Sequence, residues 1–250
     1  MTTALQTIGL CKHFGAVVVA NDVHFRLQSG ARHALIGPNG AGKTTFVNLL
    51  TGRLAPSAGR ILLNDTDITR LPQAERVKRG LVRTFQINAL FRGLTVLENV
   101  CLAAAEQAGF GGRMLRAAGA QRDTVEQSFA LLERLGIADV AGLPVKELPY
   151  GKQRLVEIAI ALALQPTVLL LDEPAAGVPA AESTVILDVI AQLPASVAVL
   201  IIEHDMELVF RFAEQITVLV QGGVLVAGAP SEIAADPRVR EVYLGERHHG

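Results

Sequence analysis

The nonapeptide GPNGAGKTT, Gly37-Pro38-Asn39-Gly40-Ala41-Gly42-Lys43-Thr44-Thr45, has the residue types needed to hold a polyphosphate. Glycines at 37, 40 and 42 let backbone N–H groups turn inward around phosphate oxygens, and a helix starting just beyond them adds positive dipole potential. Lys43 is placed to reach the β- and γ-phosphates, and the Thr44 hydroxyl to coordinate Mg²⁺. Far along the chain, Asp172 and Glu173 follow the apolar run Val168-Leu169-Leu170-Leu171. The carboxyl ends of parallel strands face the ligand crevice of open α/β sheets, so charge there faces nucleotide and not core. Asp172 would fix the metal opposite Thr44, and Glu173 would orient the attacking water and accept its proton. A strand-end acid could instead cap or pair locally. Pro174 is expected to hold Glu173 extended and limit where its carboxylate points.

VLIIEHDM, residues 199–206, repeats the arrangement with Glu203, His204 and Asp205 after four apolar positions. Histidine in such a place is commonly a local hydrogen-bonder. With Lys43, Asp172 and Glu173 converging on a phosphate, His204 becomes a candidate to contact the γ-phosphate and report its presence.

These groups need a scaffold of short strands with loops at one end. ARHALIG (31–37) is an apolar approach to the glycine loop, and the spacing of Phe46, Leu49 and Leu50 then turns helical. Residues 23–28 alternate, and GRILLND (59–65) is another short strand, which together suggest a small antiparallel layer. Helical periodicity dominates 95–109, 123–137 and 152–164, an all-helical excursion, while AGFGGRMLRAAGA (108–120) has the composition of a surface loop. Strands return at 167–173, 196–204 and 216–220, with helices at about 181–193 and from Met206. Gly222–Gly223 is expected to form the turn of a closing hairpin. The fold class is therefore α/β: a P-loop nucleotide-binding core with a mostly parallel sheet, a small antiparallel β subdomain and an inserted helical subdomain. The division expected is 1–87 and 166–250 for the two halves of the core and 88–165 for the helical insert.

Composition narrows the partners. At 250 residues and 50% hydrophobic, the chain can bury a sizeable core. Lys+Arg 23 against Asp+Glu 24 shows no basic surface for nucleic acid. Cys11 and Cys101 have no metal-ligand spacing and are expected to be buried free thiols, as in a reducing cytoplasm. The N-terminal MTTALQTIGL has no basic start followed by a long apolar run, so a chain that is soluble when isolated is expected.

On these segments the whole chain resembles the ATP-binding subunit of an ABC transporter. GPNGAGKTT matches its Walker A loop, the Phe85-Gln86 pair its Q-loop, LPYGKQR (148–154) its signature, VLLLDEP its Walker B with the glutamate, and EHD its switch histidine. The resemblance implies ATP and Mg²⁺ as cofactors, with Thr44, Asp172 and Gln86 toward the metal and Gln86 also near the attacking water. It implies that Phe14 stacks on adenine, although phenylalanine is commonly just a core residue. It further implies a dimer, homodimeric or more readily of two paralogues, in which Tyr150 and Gly151 of one subunit close over ATP on the other. Two transmembrane permease subunits and, indirectly, an external solute-binding protein would complete the assembly at the cytoplasmic face of the plasma membrane, without nucleic acid. GLVRTFQINALFRGLTVLENV (80–100) and DPRVREVYLGE (236–246) resemble the longer-type ATPase of branched-chain amino acid importers. Related systems carry urea, amides or aromatic acids, lipopolysaccharide export is a rival, and an ATP-binding scaffold with little hydrolysis is another.

The signature departs from the family pattern, because Pro149 stands where serine is usual and offers neither hydroxyl nor N–H. Pro179 likewise replaces the polar residue expected after the Walker B turn. Losing one charge-assisted hydrogen bond costs roughly 1.5–3 kcal/mol at most. Pro149→Ser should therefore raise ATP affinity or turnover of the assembled transporter modestly, measured as steady-state ATPase against ATP concentration.

Overall fold

The computed structural model describes residues 2–84, 90–109 and 118–245. Gln86 and most of the 108–120 loop lie outside the described residues. The chain runs through β1 (Thr3–Phe14), β2 (Val17–Gln28), β3 (Arg32–Ile36), α1 (Lys43–Thr51), β4 (Ala58–Leu63), β5 (Thr66–Asp67) and α2 (Gln73–Lys78). It continues as β6 (Leu81–Arg83), α3 (Val96–Gln107), α4 (Ala118–Arg134) and α5 (Tyr150–Ala163). It finishes with β7 (Val168–Asp172), α6 (Ala180–Ala191), β8 (Ala198–Ile202), α7 (Met206–Phe212), β9 (Gln215–Val220), β10 (Gly223–Gly228), α8 (Pro230–Ala235) and α9 (Pro237–Gly245).

Two compact units result. One comprises Met1–Arg76, Thr167–Glu173 and Leu193–Gly250, and the other Val77–Pro166 with Pro174–Gln192. In the first unit an antiparallel sheet has the order β2-β1-β4-β5, and a second sheet runs β10-β9-β3-β8-β7. The second sheet is parallel from β9 to β7, and β10 is antiparallel to β9. Strands β3 and β8 are buried at every position, as expected where both faces of a parallel sheet are covered. This is the architecture expected from the apolar runs, with β2 alternating from Asp22 onward so that Val23, Phe25 and Leu27 are buried.

Strand β1 has no counterpart in the sequence reading. Its alternation breaks at register shifts against β2, including one between Thr7 and Leu10, and Gly9 between them takes φ 58. A bulge resets the two-residue period, which hides the strand from a pattern search. The closing hairpin also differs. Val220 pairs with Gly223, and the positive φ angles fall on Gln221 (49°) and Gly222 (80°), so the turn sits one residue earlier than expected. Cys11 and Cys101 are free but only half-buried.

The second unit is built on α3, α4 and α5, which bury Val96, Val100, Leu131, Leu132, Val156 and Ile158. A capping box starts α3: the Thr95 hydroxyl accepts from the Glu98 N–H, and the Glu98 carboxylate accepts from the Thr95 N–H.

Within the first unit, Arg76 holds the far end of α1. This guanidinium is 2% exposed and donates to the carbonyls of Leu49 (2.8 Å), Leu50 (2.7 Å), Thr69 (2.8 Å) and Leu71 (2.9 Å). The last-turn carbonyls of a helix have no partner within it, and a cation there also suits the helix dipole. Gly52 leaves the room required, since a Cβ at that position would lie 2.8 Å from Arg76 Nε. Arg76→Met should strand these buried carbonyls and lower stability by about 3–5 kcal/mol, read by denaturant or thermal unfolding, with Arg76→Lys losing less.

Candidate nucleotide site

Three segments of interest leave the carboxyl ends of adjacent parallel strands in the first unit. β3 leads into the glycine loop, β8 into Glu203-His204, and β7 ends at Asp172, with β8 lying between the other two. The register is direct: Ile202 pairs with Leu35 on one side and with Asp172 on the other. Neighbouring strands are about 4.8 Å apart, so the loop and the acids rise from within roughly two strand spacings of each other.

The glycine loop is shaped by close backbone approaches. Gly42 caps α1 in the left-handed region at φ 99°, and Gly40 takes φ 77°. A Cβ on Gly37 would run into the Leu219 carbonyl oxygen, and one on Gly42 would lie 2.9 Å from the Val19 carbonyl oxygen. Only glycine passes such points. The Lys43 ammonium is half-buried and donates to the carbonyls of Gly37 (2.5 Å) and Pro38 (3.0 Å), so it is folded back over its own loop. The Ala41 N–H donates to Pro38 O at 3.1 Å, which tightens the turn through Pro38 and Asn39. Thr44 is exposed and Thr45 half-buried.

Asp172 is half-buried at the last position of β7. Glu173 next to it has φ 47°, the left-handed region, and its N–H donates to Ile202 O at 2.9 Å. Its backbone is therefore not extended, contrary to the expectation drawn from Pro174. The hydrogen bond to β8 overrides that bias, at a cost of order 1–3 kcal/mol for a non-glycine residue there. The bend sends the Glu173 carboxylate to the next strand end, where Oε1 lies 3.4 Å from His204 Nδ1. Both side chains remain substantially exposed, 46% for Glu173 and 66% for His204.

Beneath them is a residue to which the sequence reading gives no role. Glu203 is 2% exposed, accepts the His204 N–H at 3.3 Å, and has Oε2 3.9 Å from His204 Nδ1. Nothing in the pattern VLIIEHD distinguishes its burial from the exposure of its neighbours. Asp205 does separate work, capping α7 by accepting from the N–H groups of Glu207 (2.9 Å) and Leu208 (3.3 Å).

Phe14 ends β1 with 54% of its surface exposed and the Lys12 ammonium 4.8 Å from its ring centroid. It is not a core phenylalanine. Tyr150 and Gly151 belong to the second unit, at the start of α5. Pro149 is the N-cap, with its carbonyl accepting from Gln153 N–H at 3.1 Å, so it deprives the helix of no internal bond. The Tyr150 hydroxyl is 2.9 Å from Arg154 Nη2, which donates to it, and Gly151 is buried beside Glu182, whose carboxylate occupies the space a Cβ would need.

The donor set suits Mg²⁺ carried by a nucleotide. A threonine hydroxyl and a carboxylate are hard oxygen ligands, and this ion keeps several waters and phosphate oxygens of its own. Among the described residues there is no cluster of three or more His, Cys, Asp or Glu side chains that would cage a metal by itself.

The family model for the ABC transporter matches residues 20–176, and one for the branched-chain amino acid ATP-binding cassette transporter matches residues 224–249. The chain is 40% identical over 97% of its length, and 98% of the relative's, to the high-affinity branched-chain amino acid transport ATP-binding protein LivG of Escherichia coli K12. It is 37% identical, over 99% of both chains, to the lipopolysaccharide export system ATP-binding protein LptB of Acidithiobacillus ferridurans. Among solved structures, the ADP conformation of MJ1267, an ATP-binding cassette of an ABC transporter, superposes with a TM-score of 0.86 at 30% identity, covering 98% of this chain and 100% of that one. The chain belongs to the ABC transporter family, as one of its ATP-binding cassettes.

Behind the signature segment, α5 carries a buried acid. Glu157 is 5% exposed and accepts from Arg154 Nη1 at 2.9 Å. Burial pushes its carboxyl from 4.5 up to about 7, against the opposing pull of Arg154. The folded form thus keeps a proton that the unfolded chain has released. This contribution to stability is present in full below pH 4.5 and is lost as pH rises through about 7. Thermal unfolding measured from pH 5 to 9 should show the decline, and Glu157→Gln should flatten it by on the order of 3 kcal/mol at the alkaline end.

Proposed function

We propose that this chain is the ATP-binding and hydrolysing subunit of an ABC importer, with branched-chain amino acids as the solute class. The observation that carries the ATPase reading is the departure of the glycine loop, Asp172 and the Glu173–His204 pair from the carboxyl ends of adjacent parallel strands. The solute class rests on the C-terminal family match at 224–249 and on the kinship with LivG.

In this reading Gly37 to Thr45 receive the phosphates, with Lys43 exchanging its carbonyl partners for β- and γ-phosphate oxygens. Thr44 and Asp172, together with Gln86, would hold Mg²⁺, which would supply positive charge beside the terminal phosphate. Glu173 orients the attacking water and takes its proton. His204, whose Nδ1 lies 3.4 Å from the Glu173 carboxylate, sits beside the base and donates a ring N–H to a γ-phosphate oxygen, so that it senses the phosphate. Phe14, exposed at the end of β1, offers a face to adenine. Tyr150 and Gly151 act in the second subunit's site.

The complete machine would contain a second nucleotide-binding subunit, two permease subunits and an external solute-binding protein, with this chain peripheral at the cytoplasmic face. Among the described residues no helix is long and apolar enough to cross a membrane. ATP favours the closed dimer, and hydrolysis removes that preference.

Kinship with LptB keeps a second assignment in view, the motor of an export system. Co-purification decides between them: import requires a cognate solute-binding protein that takes up leucine, isoleucine or valine. Glu173→Gln should retain Mg-ATP binding and lose ATPase activity by about 10²–10⁴-fold, the usual worth of a general base. Equal steady-state rates for the two proteins would remove Glu173 from that role.

A further inference from the structure

The turn between β9 and β10 lies against the glycine loop. The Gly222 N–H donates to the Ala41 carbonyl at 2.9 Å, and the Gly222 carbonyl accepts the Asn21 N–H at 2.8 Å. Three backbone segments meet here without room for a side chain. A Cβ on Gly222 would lie 2.8 Å from Val19 O and 3.2 Å from Ala20 Cα, while one on Gly42 would be 3.3 Å from Gly222 Cα. With φ at 80°, Gly222 also adopts a conformation that L side chains avoid.

The hydrogen bond to Ala41 has a directional consequence. A trans peptide is planar, and its C=O and the following N–H point in opposite directions. Drawing the Ala41 carbonyl toward Gly222 therefore turns the Gly42 N–H to the opposite side, away from the β9–β10 turn. The next peptide is held separately, because the Gly42 carbonyl accepts from Phe46 N–H at 2.8 Å as the first bond of α1.

We propose that Gly222 is a positioning residue for the nucleotide phosphates: its N–H, by holding the Ala41 carbonyl, aims the Gly42 N–H at the phosphate. The proposal rests on the reading of residues 37–45 as the phosphate loop. It assigns a part in nucleotide binding to a residue distant in sequence from the phosphate loop it touches.

The test is equilibrium binding of Mg-ATP to the full chain, with steady-state KM and kcat alongside. An ester in place of the Gln221–Gly222 amide, introduced by ligating a synthetic C-terminal segment, deletes the N–H and adds no atom at Cα. It should weaken Mg-ATP binding about 2–12-fold, the equivalent of one hydrogen bond, through KM and with kcat held within about twofold. Gly222→Ala should weaken binding roughly tenfold or more, since it adds a collision and strain. In Gly223→Ala the new Cβ meets nothing nearer than 3.8 Å, and affinity should stay as in the parent. An ester variant with unaltered affinity would overturn the proposal, whether or not Gly222→Ala folds. Lys43→Ala separates the two levels: if it weakens binding while the ester does not, only the role of Gly222 falls. If Lys43→Ala is also without effect, the phosphate-loop reading falls and takes this proposal with it.

Discussion

The registered clamping of β3 between β8 and β9 is the constraint on which the nucleotide site depends. Leu35 is paired with Ile202 on one side and with Thr217 on the other, and Ile202 is itself paired with Asp172. Parallel pairing aligns strand ends, so every loop that follows them opens on the same edge of the sheet. β7 and β8 are apolar through Leu171 and Ile202, and the acids Asp172 and Glu203 come next at their carboxyl ends. A shift of one residue in any of these ladders would reverse the faces of the strand and move its terminal acid.

Given that frame, the fine geometry comes from backbone packing more than from charged side chains. α1 is secured at its far end by Arg76 and begins in a loop that touches Leu219, Val19 and Gly222 so closely that glycine is required. Glu173 is bent by a main-chain bond to β8 into an unfavourable conformation and so faces His204. In both places local cost is offset by a large, well-paired sheet. The side chains proposed to do chemistry stay half-buried or exposed, while the strands that carry them are buried.

Much of this was legible in the sequence, for definable reasons. Apolar runs ending in acids mark parallel strands and their carboxyl ends, and the glycine loop has a spacing few other structures need. What escaped was whatever depends on a partner distant in the chain. β1 is concealed by bulges that only its pairing with β2 and β4 explains. Arg76 reads as an ordinary basic residue in a short helix, and its burial follows from carbonyls supplied by α1. The hairpin turn was displaced by one residue because two glycines made either register plausible, and pairing of Val220 with Gly223 chose between them. For Glu173, the local bias imposed by proline lost to a bond made by Ile202.

The same strand arrangement bears on how the chain reaches its native state. β3 ends at Ile36, yet both strands that flank it lie beyond residue 197. During synthesis the N-terminal part would leave the ribosome with an apolar segment whose neighbours have yet to be made. Such long-range closure slows folding and prolongs exposure of sticky surface. The helical unit is less burdened, since α3, α4 and α5 follow one another in sequence, and so the last step of maturation falls to the part of the molecule that binds nucleotide.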